Sequence, residues 1–190
     1  MRVSGAVLAG GESKRMGRDK KWINLRGKSL LEIAIDKLRE VTDEVIVVLH
    51  KRELELEANM PRIRFVYDLF EKRAPILGLH SALYHCKGER VLVTPVDTPL
   101  IPIRLLRELI KAAESTKAFA VRSPLGLEPL IGMYHKDLIP LLEKLIREGN
   151  LSLRRVFENL KEEEYREFAA LDYDSNVFKN INTPEDLESL

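Results

Sequence analysis

The chain has 190 residues, with 31 Lys and Arg against 30 Asp and Glu for a net charge of +1, and is 45% hydrophobic. That length and apolar content predict one domain, residues 1–190, with a core of its own, and the even charge balance argues against a broad nucleic-acid-binding face. The single cysteine, Cys86, excludes an internal disulfide framework and a Cys-based zinc site and points to a reducing, cytoplasmic setting, and no run approaches the ~20 apolar residues of a membrane span.

In chain order, Val3 to Leu8 is a short apolar run with β-branched residues and predicts a buried strand. A Gly-rich basic loop follows. Leu30 to Leu38 then shows a helical apolar stripe, opened by Ser29 with Glu32 three residues on as a capping box. Glu44 to Leu49, Arg64 to Tyr67 and Arg90 to Val96 repeat the strand pattern. Between and after them, Ile76 to Cys86 and Ile103 to Ala113 predict helices, the second entered through Pro102. The second half is less regular. Ala118 to Val121 and Pro129 to Tyr134 read as strands, Leu138 to Glu148 and Leu153 to Leu160 as helices, and Arg166 to Leu171 as a late strand. Thr183-Pro184-Glu185 predicts the cap of a short terminal helix. Strands alternating with helices at this spacing predict an α/β fold, a Rossmann-like three-layer sandwich on a mostly parallel central sheet.

Ligands of such sheets sit beyond the carboxyl ends of the strands, so the loops starting at Ala9, His50, Asp68 and Asp97 are the place to look for chemistry. In the first, Gly10 and Gly11 let the backbone turn and present N–H groups to an anion. Lys14, Arg15, Arg18, Lys20 and Lys21 stand there against Glu12 and Asp19. This is a local cationic clamp suited to a polyphosphate. It is neither a Walker loop, since neither glycine has another five positions on, nor a G-x-G-x-x-G fingerprint. Asp97, flanked by Pro95 and Pro99 at the end of an apolar strand, is the candidate Mg²⁺ ligand. Asp68 occupies the same position after the preceding strand and could contact a ribose, the metal or nothing. The histidines make no cluster: His80 and His85 are five apart, off the i, i+4 spacing of a helical metal pair, and surface or packing roles are expected of them. Cys86 reads as a small core residue and Trp22 as a core anchor.

Leu8-Ala9-Gly10-Gly11 with Arg15-Met16-Gly17 and Asp19-Lys20, then Asn24 to Leu30, Pro75-Ile76-Leu77-Gly78, Pro95-Val96-Asp97-Thr98-Pro99, Glu128-Pro129-Leu130 and Asn180-Ile181-Asn182-Thr183-Pro184-Glu185-Asp186-Leu187 follow in one order along nearly the whole chain. In these the sequence resembles the molybdenum cofactor guanylyltransferase (MobA) family of nucleotidyltransferases, whose fold is that of the nucleotide-diphospho-sugar transferases. The resemblance implies an enzyme that transfers GMP from GTP to Mo-molybdopterin, giving molybdopterin guanine dinucleotide and pyrophosphate. It implies nucleotide contacts from Leu8, Ala9, Gly10, Gly11, Lys20, Asp68 and Asp97, catalytic roles for Arg15, Lys20 and Asp97, and Mg²⁺ on Asp97. Asn180 and Asn182 match the motif associated with the pterin acceptor. Molybdoenzymes or other cofactor-biosynthesis proteins are the implied protein partners; no nucleic acid and no membrane are expected. The Leu-Ala-Gly-Gly start is similar to the guanylyl branch rather than to cytidylyl relatives that begin Thr-Ala-Ala-Gly, which implies GTP over CTP.

Two positions depart from the family pattern. Where bacterial members often place an Asn on the nucleotide, this chain has Leu49-His50-Lys51-Arg52, so either His50 or the backbone makes that contact. Where the family has Pro-Leu-Ala-Gly, Leu77 puts a larger side chain, expected to reshape the acceptor cleft. Two other readings share these features: a related nucleotidyltransferase using another nucleoside triphosphate or phosphorylated acceptor, and a non-catalytic molybdenum cofactor carrier. A structural scaffold has no need of the cationic loop.

Overall fold

The computed structural model describes residues 2–10, 19–113, 116–182 and 186. The Gly-rich basic segment from Gly11 to Arg18, with Arg15, and the Thr183-Pro184-Glu185 cap lie outside the described residues. Seven strands form one sheet: β1 (Val3–Leu8), β4 (Glu44–Leu49), β5 (Arg64–Tyr67), β6 (Arg90–Pro95), β7 (Ala118–Ser123), β8 (Gly126–His135) and β9 (Tyr165–Ala169), in the order β5-β4-β1-β6-β8-β7-β9. All but β8 run in one direction, because β8 pairs antiparallel with both β6 and β7. The expected α/β sandwich with a mostly parallel sheet is therefore the observed fold.

Side chains alternate across each central strand, and each face takes one set of helices. Val7 and Leu92 face α1 (Leu30–Arg39) and α4 (Ile103–Ala112), through Leu31, Leu38, Leu105 and Leu109. Ala6, Val91 and Val93 face α3 (Pro75–His85), α5 (Ile139–Arg147) and α6 (Arg154–Glu158), through Leu79, Leu83, Leu142 and Val156. The capping box at Ser29 and Glu32 is present, with Glu32 N–H donating to Ser29 Oγ at 3.2 Å and Ser29 N–H to Glu32 Oε2 at 2.7 Å. Cys86 is buried in the second cluster, as expected.

Several boundaries and two elements differ from the sequence reading. The helix α2 (Leu54–Asn59) buries only Leu56, too little for a periodic stripe to show. A small hairpin pairs β2 (Asn24–Leu25) with β3 (Lys28–Ser29) across Arg26 and Gly27, both at positive φ, as a tight hairpin turn requires. The late strand ends at Ala169 rather than Leu171, and the helix expected over Leu153 to Leu160 is only the short α6. β8 begins at Gly126, earlier than Pro129, because Ser123 to Gly126 makes a tight turn in which Leu125 N–H donates to Ser123 Oγ at 3.0 Å. Proline gives no ladder donor, and the β7–β8 register shifts between Ala120 and Val121, opposite Pro129 to Ile131. Gly132 restarts the ladder; a Cβ there would stand 2.6 Å from the Phe119 carbonyl oxygen. β8 leaves β6 at the Val93–Gly132 pair, and the stretch beyond, with Leu130, borders the cleft described next.

Candidate active site

The connections reverse direction between β1 and β6, the arrangement that opens a crevice at the carboxyl ends of parallel strands. A cleft of about 770 Å³ lies there, within the roughly 300–1,000 Å³ usual for small-ligand sites. The ends of β1 (Leu8, Ala9, Gly10), β4 (His50), β5 (Asp68) and β6 (Val96, Asp97) all line it, together with Lys20, Leu130 and the start of α3. Five of the sequence candidates for the nucleotide, Leu8, Ala9, Gly10, Asp68 and Asp97, thus share one cavity with Lys20.

One wall is an ion pair. Lys20 sits in a 3-10 turn, Lys20–Trp22, that begins at Asp19 and is pinned by the fully buried Ile23, whose N–H donates to Lys20 O at 3.0 Å. Its Nζ lies 3.0 Å from Asp97 Oδ2 and donates to Asn182 Oδ1 at 2.6 Å. The Asp97 carbonyl accepts from Ile181 N–H at 2.7 Å, so the carboxy-terminal segment is tied to the same point. Asn182 is thereby placed on the Lys20–Asp97 pair, whereas Asn180 is exposed and its carbonyl accepts a long 3.5 Å bond from Asn182 Nδ2.

The opposite wall is a buried carboxylate. Asp68 has a side-chain exposure of 6%, and Oδ1 has no hydrogen-bond partner among the described residues. His50 Nδ1, also buried and unpartnered among them, is 3.6 Å from Asp68 Oδ2, beyond a hydrogen bond. Buried polar atoms left this way signal a missing partner such as a ligand. Gly10 closes the corner: a Cβ there would be 3.1 Å from His50 N and 3.4 Å from Asp68 Oδ2. His50 was one of two alternatives in the sequence; its side chain now borders the cleft beside Asp68.

Burial pushes the Asp68 carboxyl above its ordinary value, opposed by the Ser81 hydroxyl, the His50 imidazole and the Arg73 guanidinium. The sign follows from proton linkage. A folded carboxyl with a raised pKa binds more protons than the unfolded one, so its contribution is favourable at low pH and is lost as pH rises through the folded value. Asp68→Asn is therefore expected to raise the melting temperature at pH 7, with the gain vanishing below the ordinary carboxylate range. Melts of both proteins between pH 3 and 7 check this; a variant less stable than wild type at pH 7 would contradict it.

Three expectations are corrected. Lys21 is not a free arm of the cationic clamp: it is 2% exposed, with Nζ 2.6 Å from Asp19 Oδ2 and 2.8 Å from Glu53 Oε2, a paired charge that fixes the turn presenting Lys20. Trp22 is not a core anchor but 42% exposed, because Ile23 takes the inward position of that turn. Leu77 does not reshape the cleft, since it points into the core of the sheet's second face and Ala74, Pro75 and Gly78 form the wall instead. The described residues hold no group of three or more His, Cys, Asp or Glu side chains able to bind a metal. None of their helices is long and apolar enough to cross a membrane.

A mostly parallel sheet with a carboxylate–lysine pair at its switch point, facing a buried carboxylate, is the architecture of a nucleotide-handling α/β enzyme. Residues 5–165 match the family described as the MobA-like NTP transferase domain, and the chain belongs to that family; it is a nucleotidyltransferase. It is 33% identical to a probable molybdenum cofactor guanylyltransferase of Aquifex aeolicus, covering 97% of this chain and 88% of the relative. A relative of the same description from Opitutus terrae is also 33% identical, covering 97% and 92%. The crystal structure of molybdopterin-guanine dinucleotide biosynthesis protein A from Archaeoglobus fulgidus superposes with a TM-score of 0.81 at 28% identity, over 98% of this chain and 95% of that one.

Proposed function

We propose that this chain transfers GMP from GTP to Mo-molybdopterin in the cytoplasm. A terminal phosphate oxygen of the acceptor attacks the α-phosphorus of GTP in line. The bond from that phosphorus to the oxygen bridging to the β-phosphate breaks, and pyrophosphate leaves with the electron pair. A phosphate monoester is already a nucleophile at neutral pH, so the protein's task is to position the reactants and offset charge. The observation that carries this reading is the convergence of Lys20, Asp97 and Asn182 on one wall of a strand-end cleft whose other wall is Asp68 and His50.

In this reading Leu8, Ala9 and Gly10 pass their backbone along the nucleotide, and Gly11, outside the described residues, is a further proposed contact. Asp68 and His50 meet the guanosine moiety, for which a buried carboxylate offers an acceptor to ring and amino N–H groups. Lys20 and Arg15 neutralise the β- and γ-phosphates as they leave. Asn182, with Asn180 beside it, lies towards the acceptor. Mg²⁺ fits Asp97 only as an ion shared with substrate: the described residues form no group of three or more metal-binding side chains, and Mg²⁺ characteristically takes one or two carboxylates and completes its shell with phosphate oxygens and water. When bound, the ion supplies charge neutralisation at the phosphates. Lys20 already holds one oxygen of Asp97, so an ion bound there would share the carboxylate with the lysine.

The test is pyrophosphate release with Mo-molybdopterin as acceptor, compared across GTP, CTP, ATP and UTP. Release with GTP alone is expected. Preference for CTP would overturn the base assignment, and binding of both substrates without pyrophosphate release would favour a carrier.

A further inference from the structure

The segment that follows β6 cannot brace itself. Pro95, Pro99 and Pro102 remove three backbone donors between Pro95 and Pro102, and a single long turn bond, Ile101 N–H to Thr98 O at 3.4 Å, closes the middle. Its carbonyls therefore need donors from elsewhere. The Asp97 carbonyl has Ile181 N–H. The Pro99 and Ile101 carbonyls both accept from one side chain, the ammonium of Lys37, which reaches over from the last turn of α1, at 2.7 Å for Ile101 and closer for Pro99.

We propose that Lys37 is a positioning residue for Asp97: by holding the two carbonyls it fixes the proline-stiffened turn from which the carboxylate projects towards the nucleotide phosphates. The proline rings make this lever short. Pro99 fixes its own φ and restricts Thr98 before it, so few free torsions separate the anchored carbonyl of Pro99 from the Asp97 side chain two residues earlier. The position is also a costly one for a cation. Burial pushes the Lys37 ammonium down to about 8, and Ala34, Ile101 and Leu106 around it would suit an apolar side chain. An aliphatic residue would complete the α1 stripe but leave both carbonyls without a donor. Lys37 touches neither the cleft nor the Lys20–Asp97 pair in this structure, so it acts through the turn alone.

The inference rests on the reading of Asp97 as a phosphate-side, Mg²⁺-sharing carboxylate, and the experiment separates the two. Lys37→Met keeps the stem and loses the donors; Lys37→Arg keeps donors. Three quantities are measured on wild type and both variants: turnover and KM for GTP, affinity for a non-hydrolysable GTP analogue without divalent ion, and Mn²⁺ affinity of the analogue complex by electron paramagnetic resonance. Lys37→Met is expected to lower kcat about 10-fold or more, since small misplacements of a reacting group are costly. It should weaken Mn²⁺ binding by a similar factor while analogue affinity without metal stays within about 2-fold, and Lys37→Arg should recover part of both losses. A folded Lys37→Met with wild-type kcat and Mn²⁺ affinity would overturn the inference, as would a loss of thermal stability alone in both variants. Absence of Mn²⁺ binding in wild type would overturn the parent reading of Asp97 and the inference with it.

Discussion

Asp97→Ala is expected to lower turnover at least ~100-fold at saturating nucleotide, the scale of a preorganised electrostatic contact to transferring phosphate, with the melting temperature nearly unchanged. The two halves of that expectation have separate causes. Asp97 is at the mouth of the cleft, with a side-chain exposure of 22%, and its partner Lys20 keeps a second acceptor in Asn182 Oδ1 at 2.6 Å when the carboxylate is removed. With that acceptor retained, the lysine is not left as an isolated charge, and the fold is expected to survive the loss. Catalysis does not, because Asp97 is the carboxylate that projects from the end of β6 into the cleft beside Lys20. Asp97→Asn sharpens the test by keeping shape and one acceptor while deleting the charge: a loss close to that of Asp97→Ala would assign the effect to charge. The measurement is pyrophosphate release alongside a thermal melt, and near-wild-type turnover in either variant would remove Asp97 from the mechanism.

The sequence carried the strands of this fold well where both faces are buried. Val3 to Leu8 and Glu44 to Leu49 are near-continuous apolar runs, and their bounds match the observed strands. It carried less where a residue's role depends on what lies across space. Lys20, Asp97 and Asn182 stand 77 and 85 residues apart, and no spacing rule joins them; only the strand order, which brings β1 beside β6, does so. The same limit explains Lys21. A third lysine in a basic loop looks like more of the same charge, and Glu53, which pairs with it, is 32 residues away. Leu77 failed for a different reason: helical phase decides which of two adjacent residues faces the cleft, and α3 begins at Pro75, turning Gly78 outward to the site and Leu77 inward. His50 was a departure from a pattern in the sequence and became a member of the site only once Asp68 was seen beside it.

Lys20→Ala should weaken nucleotide binding about 10- to 100-fold, and the direction of the accompanying Asp97 effect makes the prediction discriminating. Removing Lys20 does two things to an incoming triphosphate. It deletes a charge-assisted donor for the phosphates, and it uncovers the Asp97 carboxylate that the ammonium now pairs at 3.0 Å, so that a negative charge repels the ligand. Removing Asp97 instead keeps the ammonium, still held by Asn182 Oδ1, and takes away that repulsion. Without divalent ion, Asp97→Ala is therefore expected to bind nucleotide as tightly as wild type or more so, while Lys20→Ala binds it less. The double variant should recover part of the Lys20→Ala loss, because the two side chains are in contact and their effects are not additive. Raising salt should narrow the gap between wild type and Lys20→Ala, as screening weakens both the attraction and the repulsion. Titration of GTP into the four proteins in the presence of a chelator measures all of this. Unchanged affinity in Lys20→Ala, or parallel losses in the two single variants, would show that Lys20 serves the folded turn and not the phosphates.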